Sequence, residues 1–130
     1  MTMELGCKGR AETIVTSEKT AKTAGSGALD VFATPFMAAL MEEAAWTSIQ
    51  PYLEDGQGSV GIALNLTHDA APPVGMKVWA ESTVTAINGR KVSFSITAYD
   101  ETGVIGTCDH QRAIIDNEKF FTRCQNKLNH

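Results

Sequence analysis

The chain has 130 residues, 43% of them hydrophobic and 20% charged, with a formal net charge of −4. That length suits one globular domain over residues 1–130, with a core that a second copy could help to cover. No basic stripe and no interleaving of basic with aromatic residues is present, which argues against nucleic acid as a partner.

Residues 4–16 (ELGCKGRAETIVT) predict a first, weakly patterned strand. SEKTAKTAGSGALD, residues 17–30, is small, polar and without a clear period. It reads as a loop, and one of this length serves either as a lid or as a surface excursion. The strongest helix covers residues 35–50, PFMAALMEEAAWTSIQ. Thr34 is placed to cap it, Pro35 suits its first position, and Pro51 ends it. Met37, Leu40, Met41 and Ala44 recur at i, i+3, i+4 and i+7, so one flank faces a core.

Beyond the EDGQG loop, Ile62, Leu64, Leu66 and His68 alternate with smaller or polar residues, the period of a strand. AAPPVG breaks it, because Pro72 and Pro73 donate no ladder hydrogen bonds. MKVWAESTVTAI, Asn88-Gly89 and RKVSFSITAYD read as a long hairpin with a tight primed turn. Residues 103–115 predict a last strand after a turn at Asp100–Gly103. EKFFTRCQNKL predicts a short amphipathic helix packed on the sheet. The expected fold class is therefore α+β, a long helix lying across a four-strand antiparallel meander plus the first strand.

No run approaches the roughly 18 apolar residues of a membrane span, and MTMELGCKGRAE lacks the apolar stretch of a secretory signal. Cys7, Cys108 and Cys124 are odd in number and share no CxxC spacing. Sparse, unmatched cysteines point to a reducing compartment, and the cytoplasm is expected. The glycines at 25–27 lack the setting and the lysine of a phosphate loop. No G-x-S-x-G elbow is present. His68, His110 and the cysteines show no zinc spacing, so no metal or cofactor is expected. Lys119, Arg123 and Lys127 read as a solvated helix face, and the terminal His130 is expected to be disordered.

VFATPFMAALMEEAA, GSVGIALNLTHDAAPPVGMKV and GTCDHQRAII together resemble the hotdog-fold thioesterases of the fluoroacetyl-CoA thioesterase-like branch. The resemblance runs from Val31 to about Phe120. It implies a sheet wrapped around one central helix, acyl-CoA as substrate, and a homodimer with its two sites at the interface. It also implies that Thr34, Glu42 and His68 form the catalytic trio, with Gly61 and Arg112 at substrate-binding positions. The fluoroacetyl-specific enzyme carries aromatic lid residues shortly before its catalytic threonine. This chain has Gly25, Gly27, Ala28 and Leu29 there, which favours a small or short acyl group over a fluorinated one.

The residues themselves carry part of this reading. Ala38, Ala39, Ala45, Trp46 and Ile49 surround Glu42 at helical spacing, whereas Thr47 and Gln50 neighbour Glu43. Glu43 is the better solvated carboxylate, and Glu42 the one held against an apolar surface and suited to acid–base work. Thr34, Ala38 and Glu42 lie along one helical ridge. Taken alone, Thr34 is a plain cap beside free N–H groups that suit a developing oxyanion. His68 can move protons or orient a neighbour. Arg112 fits either a ligand contact or a structural carboxylate pair, and His110 fits a structural role. The expected function is hydrolysis of an acyl-CoA to free acid and coenzyme A. A non-catalytic acyl-CoA-binding module and a hotdog dehydratase are the alternatives.

Overall fold

A computed structural model describes residues 3–129, so the expectation for His130 lies outside the described residues. Strands β1 (Lys8–Ile14), β2 (Gln57–His68), β3 (Lys77–Asn88), β4 (Lys91–Asp100) and β5 (Gly103–Asp116) form one antiparallel sheet. The strand order is β1-β3-β4-β5-β2. Three α-helices accompany it among the described residues: α1 (Ala21–Ala24), α2 (Thr34–Ile49) and α3 (Asn117–Gln125).

Helix α2 forms where the apolar spacing predicted it. Met37, Leu40, Met41 and Ala44 are all buried, together with Ala45 and Ile49. They meet Val78, Ala80, Val84, Val92, Phe94, Ile96 and Ala98, the alternate residues of β3 and β4 that face inward. The helix presses hardest on β1 and β3. A methyl group on Gly9 would lie 2.1 Å from the Ala44 carbonyl oxygen and 2.6 Å from Ser48 Cβ, so only glycine lets α2 approach β1 this closely. Ser82 Oγ, buried beneath the helix, donates to the same Ala44 carbonyl at 3.1 Å.

Four expectations change in detail. The strands are not a simple meander: β3, β4 and β5 run consecutively, but β2 pairs with β5 at the far edge. The proline-broken segment after His68 carries the chain across the sheet instead of into a hairpin. Ala33, not Thr34, is the N-cap of α2, and it makes no side-chain capping bond. Residues 17–30 are not wholly a loop, since Thr20 Oγ1 accepts from the Thr23 N–H at 3.2 Å and starts the single turn of α1. Helix α3 forms with Asp116 as its cap, yet none of its residues is buried and Phe121 remains 63% exposed, so it does not pack on the sheet.

The β3–β4 turn is tight, one residue later than Asn88-Gly89. Asn88 pairs with Lys91, and Gly89 takes φ 63° as the first of two loop residues. No helix is long and apolar enough to cross a membrane, among the described residues.

Gly9→Ala tests the helix–sheet contact. Overpacking at a backbone carbonyl that cannot yield is expected to cost about 1–3 kcal/mol. Thermal unfolding should show a fall in Tm of several degrees with the secondary-structure content unchanged.

Candidate active site

The expected site residues fall into two clusters on neighbouring parts of α2 and β2. At the start of α2, Thr34 Oγ1 lies 2.7 Å from His68 Nδ1 at the end of β2. Phe32, fully buried, packs its ring edge-on to the imidazole with centroids 6.5 Å apart. His68 Nε2 is buried and makes no hydrogen bond among the described residues. Burial pushes the His68 imidazole below its ordinary value of 6.5, with the Asp69 carboxylate pulling the other way. A neutral imidazole bonded to a hydroxyl is arranged to take that hydroxyl's proton.

The free N–H groups expected at this helix end are fewer than the sequence suggests. Pro35 has none, and the Phe36 and Met37 N–H groups both donate to the Ala33 carbonyl at 3.0 Å. Thr34's own N–H is left without a partner among the described residues.

The second cluster surrounds Glu42, eight residues along the helix and therefore about 12 Å further along its axis. Among the described residues, no hydrogen bond joins it to Thr34 or His68. Its side chain is 39% exposed, and Oε2 accepts from Arg112 Nη1 at 3.3 Å. Glu43 is the more exposed of the two glutamates, as expected, but what holds Glu42 is the Arg112 guanidinium and not the apolar helix neighbours that the sequence suggested. Arg112 is buried, and its partner carboxylate belongs to its own chain. Its Nε donates to Ser59 Oγ at 2.8 Å and its Nη2 to the Ser59 carbonyl at 3.0 Å. Nη1 also lies 3.2 Å from His110 Nε2. A charged hydrogen-bonded group at this depth is tolerated because nearly every N–H has an acceptor.

Gly61 sits where these groups converge. A Cβ there would be 2.6 Å from Glu42 Oε2 and 3.3 Å from His110 Cε1, so any other residue would displace the carboxylate. The β2–β5 register also shifts between Gly61 and Ala63, a bulge that no residue pattern announced. Ser59 is the partner that sequence reasoning missed, and His110, expected to be structural, is buried against Arg112. The inward alternation of Cys108, His110 and Arg112 was available as a signal, but the bulge that brings Ser59 and Ala63 to them was not.

Cys108 lines the same inner face of β5, and burial pushes its thiol up to about 11. It stays protonated and is no nucleophile at neutral pH. Among the described residues, no three His, Cys, Asp or Glu side chains gather as a metal site.

Residues 15–118 match the family described as fluoroacetyl-CoA-specific thioesterase. The fluoroacetyl-CoA thioesterase of Streptantibioticus cattleyicolor is 42% identical over 98 residues, 75% of this chain and 70% of that protein. The crystal structure of a point mutant of the fluoroacetyl-CoA-specific thioesterase superposes with a TM-score of 0.92 at 35% identity, covering 98% of both chains. A structure of that mutant with fluoroacetate and coenzyme A gives 0.85 at 37% identity, covering 91% of this chain and 99% of the other. The sheet curled around α2 is thus the hotdog fold, as the sequence led us to expect. By sequence and by fold together, the chain belongs to the fluoroacetyl-CoA-specific thioesterase family.

Proposed function

We propose that the protein is an acyl-CoA thioesterase that hydrolyses a small or short acyl thioester to the free acid and coenzyme A. The observation that carries this reading is the 2.7 Å Thr34–His68 bond at one end of α2, together with a carboxylate two turns along the same helix that is anchored through one oxygen only. Membership of a thioesterase family supports it. Glu42 Oε2 is engaged by Arg112, whereas Oε1 makes no hydrogen bond among the described residues. That free oxygen acts on the thioester carbonyl, directly or through a water. The carbon–sulfur bond breaks, the water oxygen enters the acid, and its proton reaches the coenzyme A sulfur by way of the Thr34–His68 pair. The Thr34 N–H and the backbone at Gly61 are the donors near the developing oxyanion. Gly61 and Arg112 serve the acyl end, one by leaving room and the other by fixing the carboxylate.

The working unit in this reading is a homodimer of single-domain chains. Strand β2 is a twelve-residue sheet edge, QGSVGIALNLTH, without proline or lysine. Ile62, in the bulge, and Leu64 are 48% and 38% exposed, because α2 leans on β1 and β3 and leaves the β2 end of the same face largely open. An open edge of this length is a template for pairing. Antiparallel β2–β2 pairing about a two-fold axis near Leu64–Asn65 sets Gly61 of one protomer opposite His68 of its partner. Glu42 of one chain then faces the Thr34–His68 pair of the other, and the buried His68 Nε2 gains an acceptor.

The lid segment supports a wider acyl choice than fluoroacetyl. Gly25, Ser26, Gly27, Ala28 and Leu29 are all exposed and offer no ring to close over the acyl group. The free cysteines Cys7, Cys108 and Cys124 support a cytoplasmic location.

Thiol release measured over a panel of acyl-CoAs tests the assignment. Thr34→Ala, Glu42→Gln and His68→Ala are each expected to lower kcat by about 10²–10⁴-fold. A wild type that releases no thiol, or variants with full activity, would sink the hydrolase reading and leave the binding module.

Mixing the two inactive variants tests the shared site. If each site draws on both chains, a Glu42→Gln and His68→Ala heterodimer keeps one intact site. A one-to-one exchange should then recover about a quarter of wild-type activity. No recovery after subunit exchange would mean that each site lies within one chain.

The pH profile follows from burial of His68. In a single chain burial favours its neutral form, so a site built within one chain should hold kcat/KM down through pH 6.5 and lose it only on further acidification. A facing carboxylate from the second chain moves that acid limb upward, so a limb centred above 6.5 supports the shared site and one below 6.5 opposes it.

A further inference from the structure

We infer that His110 is a positioning residue of this site, one that fixes Arg112 so that the guanidinium holds Glu42 by a single oxygen; this rests on the proposed hydrolase function. His110 is 1% exposed, so neither ring nitrogen can turn to water. Nε2 lies 3.2 Å from Arg112 Nη1 and Nδ1 lies 2.8 Å from the Ala63 carbonyl oxygen. A guanidinium only donates, so Nε2 must be bare and must accept. A carbonyl only accepts, so Nδ1 must carry the proton. The two contacts together select one tautomer of a neutral ring. Phe94 stacked at 5.7 Å fixes the plane of that ring.

The geometry around Nη1 gives this tautomer its consequence. Nη1 has two hydrogens, and His110 Nε2 and Glu42 Oε2 take one each. Ser59 holds the rest of the guanidinium through Nε and Nη2. Without an acceptor at Nε2, one buried hydrogen would be left unpaired, which is costly. The guanidinium would regain that bond most cheaply by turning toward Glu42 and engaging both carboxylate oxygens. Arginine and carboxylate favour that two-bond arrangement when nothing competes. Oε1, the oxygen needed for chemistry, would then be occupied. His110 thus prevents a tighter but unproductive ion pair. The β2 bulge belongs to the same device, since the register shift ends at Ala63, whose carbonyl sets the tautomer.

Two substitutions separate this role from simple core filling. His110→Phe keeps the ring and the stacking on Phe94 but removes the acceptor. His110→Gln offers a side-chain oxygen that can accept from Arg112. The Phe variant is expected to lose about 10–100-fold in kcat, the scale of a misplaced catalytic group. Its KM should move by less than about 3-fold, because ground-state binding is not the interaction lost. The Gln variant should recover most of kcat. In an Arg112→Lys background, His110→Phe should add less than about 2-fold, since residues acting as one unit are not additive.

In the wild type, long-range proton–nitrogen NMR spectra should show a protonated Nδ1 and a bare Nε2 on His110. The Arg112 Nε–H should exchange slowly there and faster in the Phe variant. Wild-type kcat in a folded Phe variant, equal losses in the Phe and Gln variants, or a proton on Nε2 would each overturn the inference. Should neither variant fold, the wild-type spectra still decide it. A wild type that hydrolyses no acyl-CoA sinks the hydrolase reading instead, and the spectra then judge the Arg112 geometry separately.

Discussion

A guanidinium buried between a helix and a sheet must find acceptors for its hydrogens or not be buried at all. Arg112 finds them on three elements at once: Ser59 on β2, His110 beside it on β5, and Glu42 on α2. The apolar residues of α2 decide that the helix lies on the sheet. This polar knot decides which part of the sheet the middle of the helix addresses. Gly61 has no side chain because the knot leaves no room for one. The bulge beside it, the tautomer of His110 and the single-oxygen hold on Glu42 all follow from satisfying one buried cation.

The offset along α2 shapes the rest of the site. Two turns of helix separate the Thr34–His68 pair from Glu42, and side chains do not bridge that gap within the chain. Both clusters nevertheless border β2, the open edge of the sheet. Under the proposed mechanism, an arrangement split in this way is of little use to a monomer. It becomes coherent if a second copy runs antiparallel along that edge, because the same offset then superposes complementary halves.

Much of this was legible in the residues, for identifiable reasons. Helix α2 announced itself through a 3.6-residue period that its burial repeats residue for residue. The strands announced themselves through alternation, and Gly89 marked the hairpin to within one position. The greater exposure of Glu43 followed from its helical neighbours, whereas the guanidinium that holds Glu42 comes from β5 and did not. What stayed hidden is what depends on pairing. The placement of β2 beside β5 is a choice of edge, and the local sequence of an edge strand does not state its neighbour. The register shift at Gly61 is hidden for the same reason, and with it the roles of Ser59 and His110. A threonine before a proline fits the cap position as well as the next, and Thr34 takes the next. Helix α3 has an amphipathic sequence that the sheet of its own chain does not use.

The placement of β2 also bears on the order in which the molecule assembles. The turns between β3, β4 and β5 are short, so those strands meet through contacts close in sequence. Strand β2 must wait for β5, because Gln57 pairs with Asp116 and His68 with Gly106 across the whole meander. Loop closure over that distance delays pairing and places it late in folding. Ser59, Gly61 and His68 all ride on this late strand, so a half-folded chain would have a core but not the proposed site. Activity regained after refolding would therefore report completion of the fold, whereas helix content or core burial would report only its beginning.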